Sequence, residues 1–276
     1  WESSIKMNQD VTVKGFSFSA VAAGIRGKKK LDIGLVSCAK PVSAAAAFTT
    51  SRVKAAPVLL GMEKIKSGCA QAVMINSGIA NACTGAEGMQ NAKKTCALLA
   101  EALGIPEDLV YVSSTGVIGQ QLEMERFAII PELVKALSPD RLVDVAQAIM
   151  TTDTVQKIAV KEIDVGGIPV KLVGIAKGAG MIMPNVATML GYIFTDIDIS
   201  AAVLNSFMKA TVEQSFNRVT VDGDTSTNDT VMVMASGMAG NPPVIEPGSA
   251  EALLFKTALA DICLDLALQI VADGEG

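Results

Sequence analysis

Apolar positions recur along this chain in two rhythms. Short apolar runs bounded by Gly, Pro or charged residues predict strands over residues 11–13, 16–25, 31–37, 45–50, 70–75, 110–112, 189–195 and 230–236. Gly15, Gly27 and Lys40-Pro41 are the turns between the first of these, so the first 60 residues read mainly as strands. Two further runs, 157–165 and 168–176, flank Gly166-Gly167 and read as a hairpin. Spacings of three and four predict helices instead. Over 88–103 the apolar face is Ala92, Cys96, Leu99 and Leu103, and Gly104-Ile105-Pro106 ends it. Residues 126–137 and 141–150 predict two more helices, parted by Ser138-Pro139-Asp140, with Pro139 or Asp140 near the start of the second. A helix over 201–216 has Asp198 or Ser200 as its cap, and a last amphipathic helix covers 250–272. Asn76 to Asn81 reads as a polar loop at a strand's carboxyl end, a usual place for ligand groups. The chain shows no internal repeat.

Composition narrows the picture. The 276 residues suggest one or two domains and can bury a large core. Half are hydrophobic but only 4% aromatic, which suits close-packed α/β layers. A net charge of −5 offers no basic footprint for nucleic acid, and Lys28-Lys29-Lys30 reads as a solvated turn. Mean hydropathy is +0.42, yet no uninterrupted apolar stretch reaches the roughly 18 residues of a membrane span. No secretory signal is visible, although the chain begins at Trp1 rather than Met. The five cysteines are odd in number and widely spaced, which predicts packed free thiols in a reducing compartment rather than a disulfide framework or metal site. Packing is also the reading for Cys83.

Candidate chemistry concentrates between two strand-like runs. The loop opens with Lys177-Gly178-Ala179-Gly180, stops at Pro184-Asn185, and places Ala187-Thr188 just before the next strand. The chain has no histidine, which excludes His-based triads and His-ligated zinc. A hydroxyl nucleophile would then need a lysine, a carboxylate or its own α-amine as base. The last option requires a cut between Ala187 and Thr188; an α-amine titrating near pH 8 can accept a proton at neutral pH. The plainer reading is that Thr188 merely starts a strand. Elsewhere, Ser114-Thr115-Gly116 follows a short strand and can aim N–H and O–H donors at one point, though such residues also make turns. Asp222, Asp224 and Ser226 imitate the opening of a calcium loop, but Val233 occupies the twelfth position where a glutamate is needed.

Ordered motifs across essentially the whole chain carry a resemblance. They are Gly15-Phe16 with Ala22-Ala23-Gly24-Ile25, Phe48 to Val58, Asn76 to Gly85, Ser114 to Gly119, Met150 to Thr154, Lys177 to Leu190, Ser215 to Asp229 and Gly274-Glu275-Gly276. Together they resemble the ornithine acetyltransferases, or glutamate N-acetyltransferases, of arginine biosynthesis. That resemblance implies an αββα-type sandwich with mixed sheets. It implies self-cleavage into an α segment, 1–187, and a β segment, 188–276, which associate, as a heterotetramer. Thr188 would be the nucleophile, Thr115 with Gly116 the oxyanion pair, and the polar loop 222–229 a wall of the active site rather than a calcium loop. Thr151, Lys177, Thr188 and Glu275 would bind substrate, with Lys177 either holding a substrate carboxylate or setting the amine's pKa. The substrates implied are N-acetylornithine and glutamate. No cofactor or metal is expected, and acetyl-CoA stays open as a second acetyl donor. The implied compartment is the cytoplasm, or an organelle in a eukaryote. Family members continue beyond the point where this sequence stops, with residues that complete the pocket. Two other readings remain: a self-processing aminopeptidase or amidase that passes its acyl group to water, and an inactive, truncated relative.

Overall fold

A computed structural model describes residues 10–27, 29–180, 189–219 and 226–274. Its organising strand is β2 (Ile33–Phe48), sixteen residues long. The first half of β2 is flanked antiparallel by β1 (Phe16–Val21) and β3 (Cys69–Ile79), and β4 (Val110–Val117) adds to β3 in parallel. Its second half, Ser43 to Phe48, pairs antiparallel with β8 (Thr230–Ala235). From β8 the sheet continues through β7 (Leu190–Thr195), parallel, to β6 (Ile168–Lys177) and β5 (Lys157–Val165), both antiparallel. The order is β4-β3-β2-β8-β7-β6-β5 with β1 beside β2, so residues on both sides of position 188 build one sheet.

Side chains alternate along each strand, so each half-sheet presents two apolar faces. On the outer face of the first half, Leu35, Met74 and Val110 pack with Cys96 and Leu99 of α2 (Gly85–Leu103) and Leu133 of α3 (Ile130–Lys135). On the outer face of the second half, Leu172, Ile193 and Val233 pack with Leu204 of α5 (Ala201–Gln214) and with Phe255 and Ile262 of α6 (Ala250–Ala272). The two inner faces meet each other. Phe16, Phe18, Val36 and Val73 share one cluster with Ile175, Tyr192, Phe194 and Met232. The Phe194 ring lies 5.4 Å from Phe16 and 5.3 Å from Phe18. The sheet is thus folded over along β2 into the expected helix–sheet–sheet–helix sandwich. Between the halves, α4 (Leu142–Ala148) contributes Leu142 and Val145 to the inner cluster.

Several expected elements differ. Residues 11–13 form no strand, and β1 ends at Val21. Residues 31–37 and 45–50 are not two strands: β2 runs through Lys40-Pro41 as one. Pro41 has no N–H to give, and it sits inside the register shift between Ser37 and Val42, where the β3 ladder asks for none. The early chain also contains a helix, α1 (Ala56–Lys64), whose sequence signal was Pro57 in the first turn. Residues 124–129 form a 3₁₀ segment before the short α3. Asn76-Ser77-Gly78 is not a loop but the end of β3, opposite Ser114-Thr115-Gly116 of β4. Hydrophobic period, by contrast, placed the β5–β6 hairpin and the Ser200 cap, whose Oγ accepts from Val203 N–H.

Phe194→Ala empties the contact between the layers. It should cost about 3–5 kcal/mol in urea unfolding, with little change in slope.

Candidate active site

The apolar run of β6 carries Lys177 inward, where it pairs in register with Leu190 of β7 and is only 2% exposed. A buried ammonium needs acceptors. Lys177 Nζ donates to Thr115 Oγ1 at 3.1 Å and to Thr151 Oγ1 at 2.9 Å. Thr115 comes from β4, where the next residue, Gly116, lies against Gly78 of β3. Gly116 has φ 131°, and a Cβ there would fall 2.3 Å from a Gly78 backbone carbon, so no larger residue fits. Thr151 follows α4. Its carbonyl accepts from Arg26 Nη2 at 2.9 Å, Arg26 also holds the Met150 carbonyl, and the Thr151 N–H donates to Asp153 Oδ2 at 2.9 Å. Thr115, Gly116, Thr151 and Lys177, nominated from sequence, therefore converge. Ala187, Thr188 and Glu275 lie outside the described residues. Met189, the residue after Thr188, donates its N–H to Asp229 Oδ1 at 2.9 Å.

Sequence reasoning assigned no role to the ion network behind Lys177. Lys157, fully buried, contacts Asp153 Oδ1 at 2.8 Å and Asp273 Oδ2 at 2.6 Å. Asp153 Oδ1 also accepts from Gly178 N–H at 2.6 Å, and Asp273 Oδ2 accepts from Thr154 N–H at 3.0 Å. One lysine thereby ties together the Thr151 turn, the residue after Lys177 and the end of α6. No local pattern could reveal this, since Lys157 and Asp273 stand 116 positions apart.

The electrostatics separate the two lysines. Desolvation pulls Lys177 below the ordinary lysine value; Asp153 and Asp229 oppose that shift, while Lys157 and Arg26 add to it. Burial pushes Asp153 upward, but Lys177, Lys157 and its hydrogen bonds outweigh burial and hold it below the usual range. Asp273 is likewise held low, chiefly by its bonds to Lys157 and Thr154 acting against burial. Asp229 goes the other way. Desolvation lifts it well above an ordinary carboxyl, despite the Met189 N–H and Lys177. Chemically, Thr115 Oγ1 accepts from Lys177, so its own O–H remains available to donate. That suits a developing oxyanion.

Among the described residues, no three His, Cys, Asp or Glu side chains are grouped to hold a metal ion, and no helix is long and apolar enough to cross a membrane. The calcium-like positions Asp222 and Asp224 lie outside them. All five cysteines are free thiols. Cys38, Cys96 and Cys263 are buried, but Cys83 is exposed, contrary to its expected packing: it has φ 58° in the turn leading into α2.

Comparison with known proteins places relatives beside this geometry. The ArgJ family model matches residues 17–276. The arginine biosynthesis bifunctional protein ArgJ of Desulfotalea psychrophila is 54% identical over 265 residues, covering 96% of this chain and 67% of that protein. The chain thus spans about two thirds of that relative. A solved arginine biosynthesis bifunctional protein from Bacillus halodurans is 41% identical with a TM-score of 0.60, over 64% of this chain and 94% of that one. The ornithine acetyltransferase of Mycobacterium tuberculosis, solved with ornithine, is 36% identical with a TM-score of 0.56, over 64% and 95%. An aminopeptidase from Ochrobactrum anthropi, described as a variant of the Ntn hydrolase fold, is 10% identical with a TM-score of 0.54 and shares the fold alone.

Lys157→Met strands two buried carboxylates and should destabilise the protein by about 3–5 kcal/mol at pH 7. Because Asp153 and Asp273 are held low, their stabilisation is present at neutral pH. It is lost as pH falls below the ordinary carboxylate value of about 3.9. Urea unfolding at pH 7 and pH 3 should therefore show the wild-type advantage over K157M shrinking in acid.

Proposed function

The chain belongs to the ArgJ family, and from this premise we propose that it moves an acetyl group from N-acetylornithine to glutamate through an acetyl-Thr188 intermediate. The observation that carries the reading is the buried Lys177, which gathers the Thr115 and Thr151 hydroxyls at the mouth of the β6–β7 connection.

In the proposed maturation, the Thr188 hydroxyl attacks the Ala187 carbonyl. An N→O acyl shift leaves an ester and a free amine, and water cleaves the ester. The solved relatives support such a cut: each is matched over nearly its whole length by under two thirds of this chain, so each solved chain is the shorter one. The new α-amine then takes the proton of its own hydroxyl. The oxygen attacks the acetyl carbonyl of N-acetylornithine, and the Thr115 O–H with the Gly116 N–H stabilises the tetrahedral oxyanion. The proton passes to the leaving nitrogen, ornithine departs, and the glutamate amine collects the acetyl group by the reverse sequence. Thr151 and Lys177 face the substrate, Lys177 as charge for a carboxylate or as a neighbour that tunes the amine. Glu275 holds a substrate ammonium. The reaction itself needs no cofactor. The pieces 1–187 and 188–276 stay associated, as a heterotetramer, in the cytoplasm or an organelle.

Intact mass under denaturing conditions should give two species meeting at Ala187 and Thr188, and an added acetyl on the second after incubation with N-acetylornithine. Thr188→Ala should abolish both. Processing that persists in T188A, or acetate released at the same rate with and without glutamate, would refute this reading; the second result would favour an amidohydrolase.

A further inference from the structure

Two consecutive side chains join the halves of the proposed site. Asn228 Nδ2 donates to the Ala80 carbonyl at 2.6 Å and to the Ser114 carbonyl at 2.8 Å, the latter one residue before Thr115. Its neighbour Asp229 accepts the Met189 N–H, one residue after Thr188. The pair is locked by its own turn: Thr227 Oγ1 donates to Asn228 Oδ1 at 2.6 Å, and Ser226 Oγ accepts the Asn228 N–H at 3.1 Å. Asp229 is 0% exposed; the Ser226 and Thr49 hydroxyls act on its carboxyl, but its second oxygen, Oδ2, has no hydrogen-bond partner of its own among the described residues. A buried carboxyl oxygen without a partner is costly and calls for an explanation.

Covalent geometry supplies one. The amine nitrogen of residue 188 lies three bonds before the N–H of residue 189, and successive backbone nitrogens can turn toward the same anion. We propose that Asp229 is a positioning residue that seats the Thr188 α-amine after cleavage, with Oδ1 on the Met189 N–H and Oδ2 on the amine, while Asn228 sets the distance from that seat to Thr115. The proposal rests on Thr188 being the nucleophile. Before the cut, residue 188 offers only a neutral amide, and an ionised Asp229 would lack a full partner. After it, an ammonium is available. The charged group acting on Asp229 is Lys177 of β6, and Asp153, Lys157 and Arg26 surround Lys177 in turn.

The test uses the full-length protein and Asp229→Asn, which keeps an oxygen to accept the Met189 N–H but cannot carry charge. D229N should still cut at 187/188, yet transfer acetyl at least about tenfold more slowly. A carboxylate beside the amine raises the amine's pKa, so its removal should move the rising limb of kcat against pH down by about one unit. A wild-type limb and rate in D229N would overturn the proposal and leave Asp229 as a backbone clamp. A wild type that forms no acetyl-Thr188 would overturn the acetyl-transfer reading as well. Should D229N fail to fold, the pH dependence of reagent acylation at the wild-type Thr188 amine carries the test. A midpoint above the ordinary 7.7–8.0 or so supports the seat, and one at or below that range overturns it.

Discussion

Two buried lysines set the terms for this site. An isolated charge in the interior costs so much that the protein must pair it or suppress it. Lys157 is paired outright, by Asp153 and Asp273 at salt-bridge distance. Lys177 is not: among the described residues its direct partners are two hydroxyls, and the carboxylates of Asp153 and Asp229 act on it from farther away. The difference assigns their roles. Lys157 is spent on holding three chain segments together. Among the described residues Lys177 has no carboxylate in direct contact, a setting that fits its proposed place beside the substrate.

Only the folded-over sheet can build this arrangement. The Ser/Thr-Gly ends of β3 and β4 belong to one half, and Lys177 and Met189 to the other. β2 belongs to both, bending past Pro41 where the ladder slips. The inner cluster around Phe194 fixes the spacing of the halves, so the contact between Lys177 and Thr115 depends on apolar packing along the strands. Gly116 then lets β4 lie against Gly78 of β3 where a side chain would collide with backbone, and Gly78 leaves room for Ile25 and Arg26.

What the sequence disclosed follows the range of each interaction. Period and punctuation found the β5–β6 hairpin, α2, α4, the Ser200 cap and both long terminal helices, because those signals are local. They split β2 in two, since Lys40-Pro41 reads as a turn unless a bulge is available to absorb it. They missed α1 because its nine residues, Ala56–Lys64, make only about two and a half turns, too few for a helical period to stand out. At the site, Thr115, Gly116, Thr151 and Lys177 were legible through motifs. Lys157 and Asp273 were not, because their pairing spans 116 positions; Asp153 and Asp229 lay inside recognised motifs, but their contacts with Gly178 and Met189, 25 and 40 positions away, could not be read there.

The proposed α-amine base would make the chain's own connectivity part of the chemistry. A base made from an α-amine demands a break between β6 and β7, two strands that hydrogen-bond to each other from Leu172 to Lys177 and from Leu190 to Thr195. Such a break is tolerable where the strands on either side of it are held by their neighbours. β7 is also laddered in parallel to β8, its side chains are packed on both faces, and Met189 is tied to Asp229. The fold therefore places the proposed cut where the ends are already held by neighbours, so that releasing an amine changes the protonation chemistry of one residue while the layers that position it stay in register.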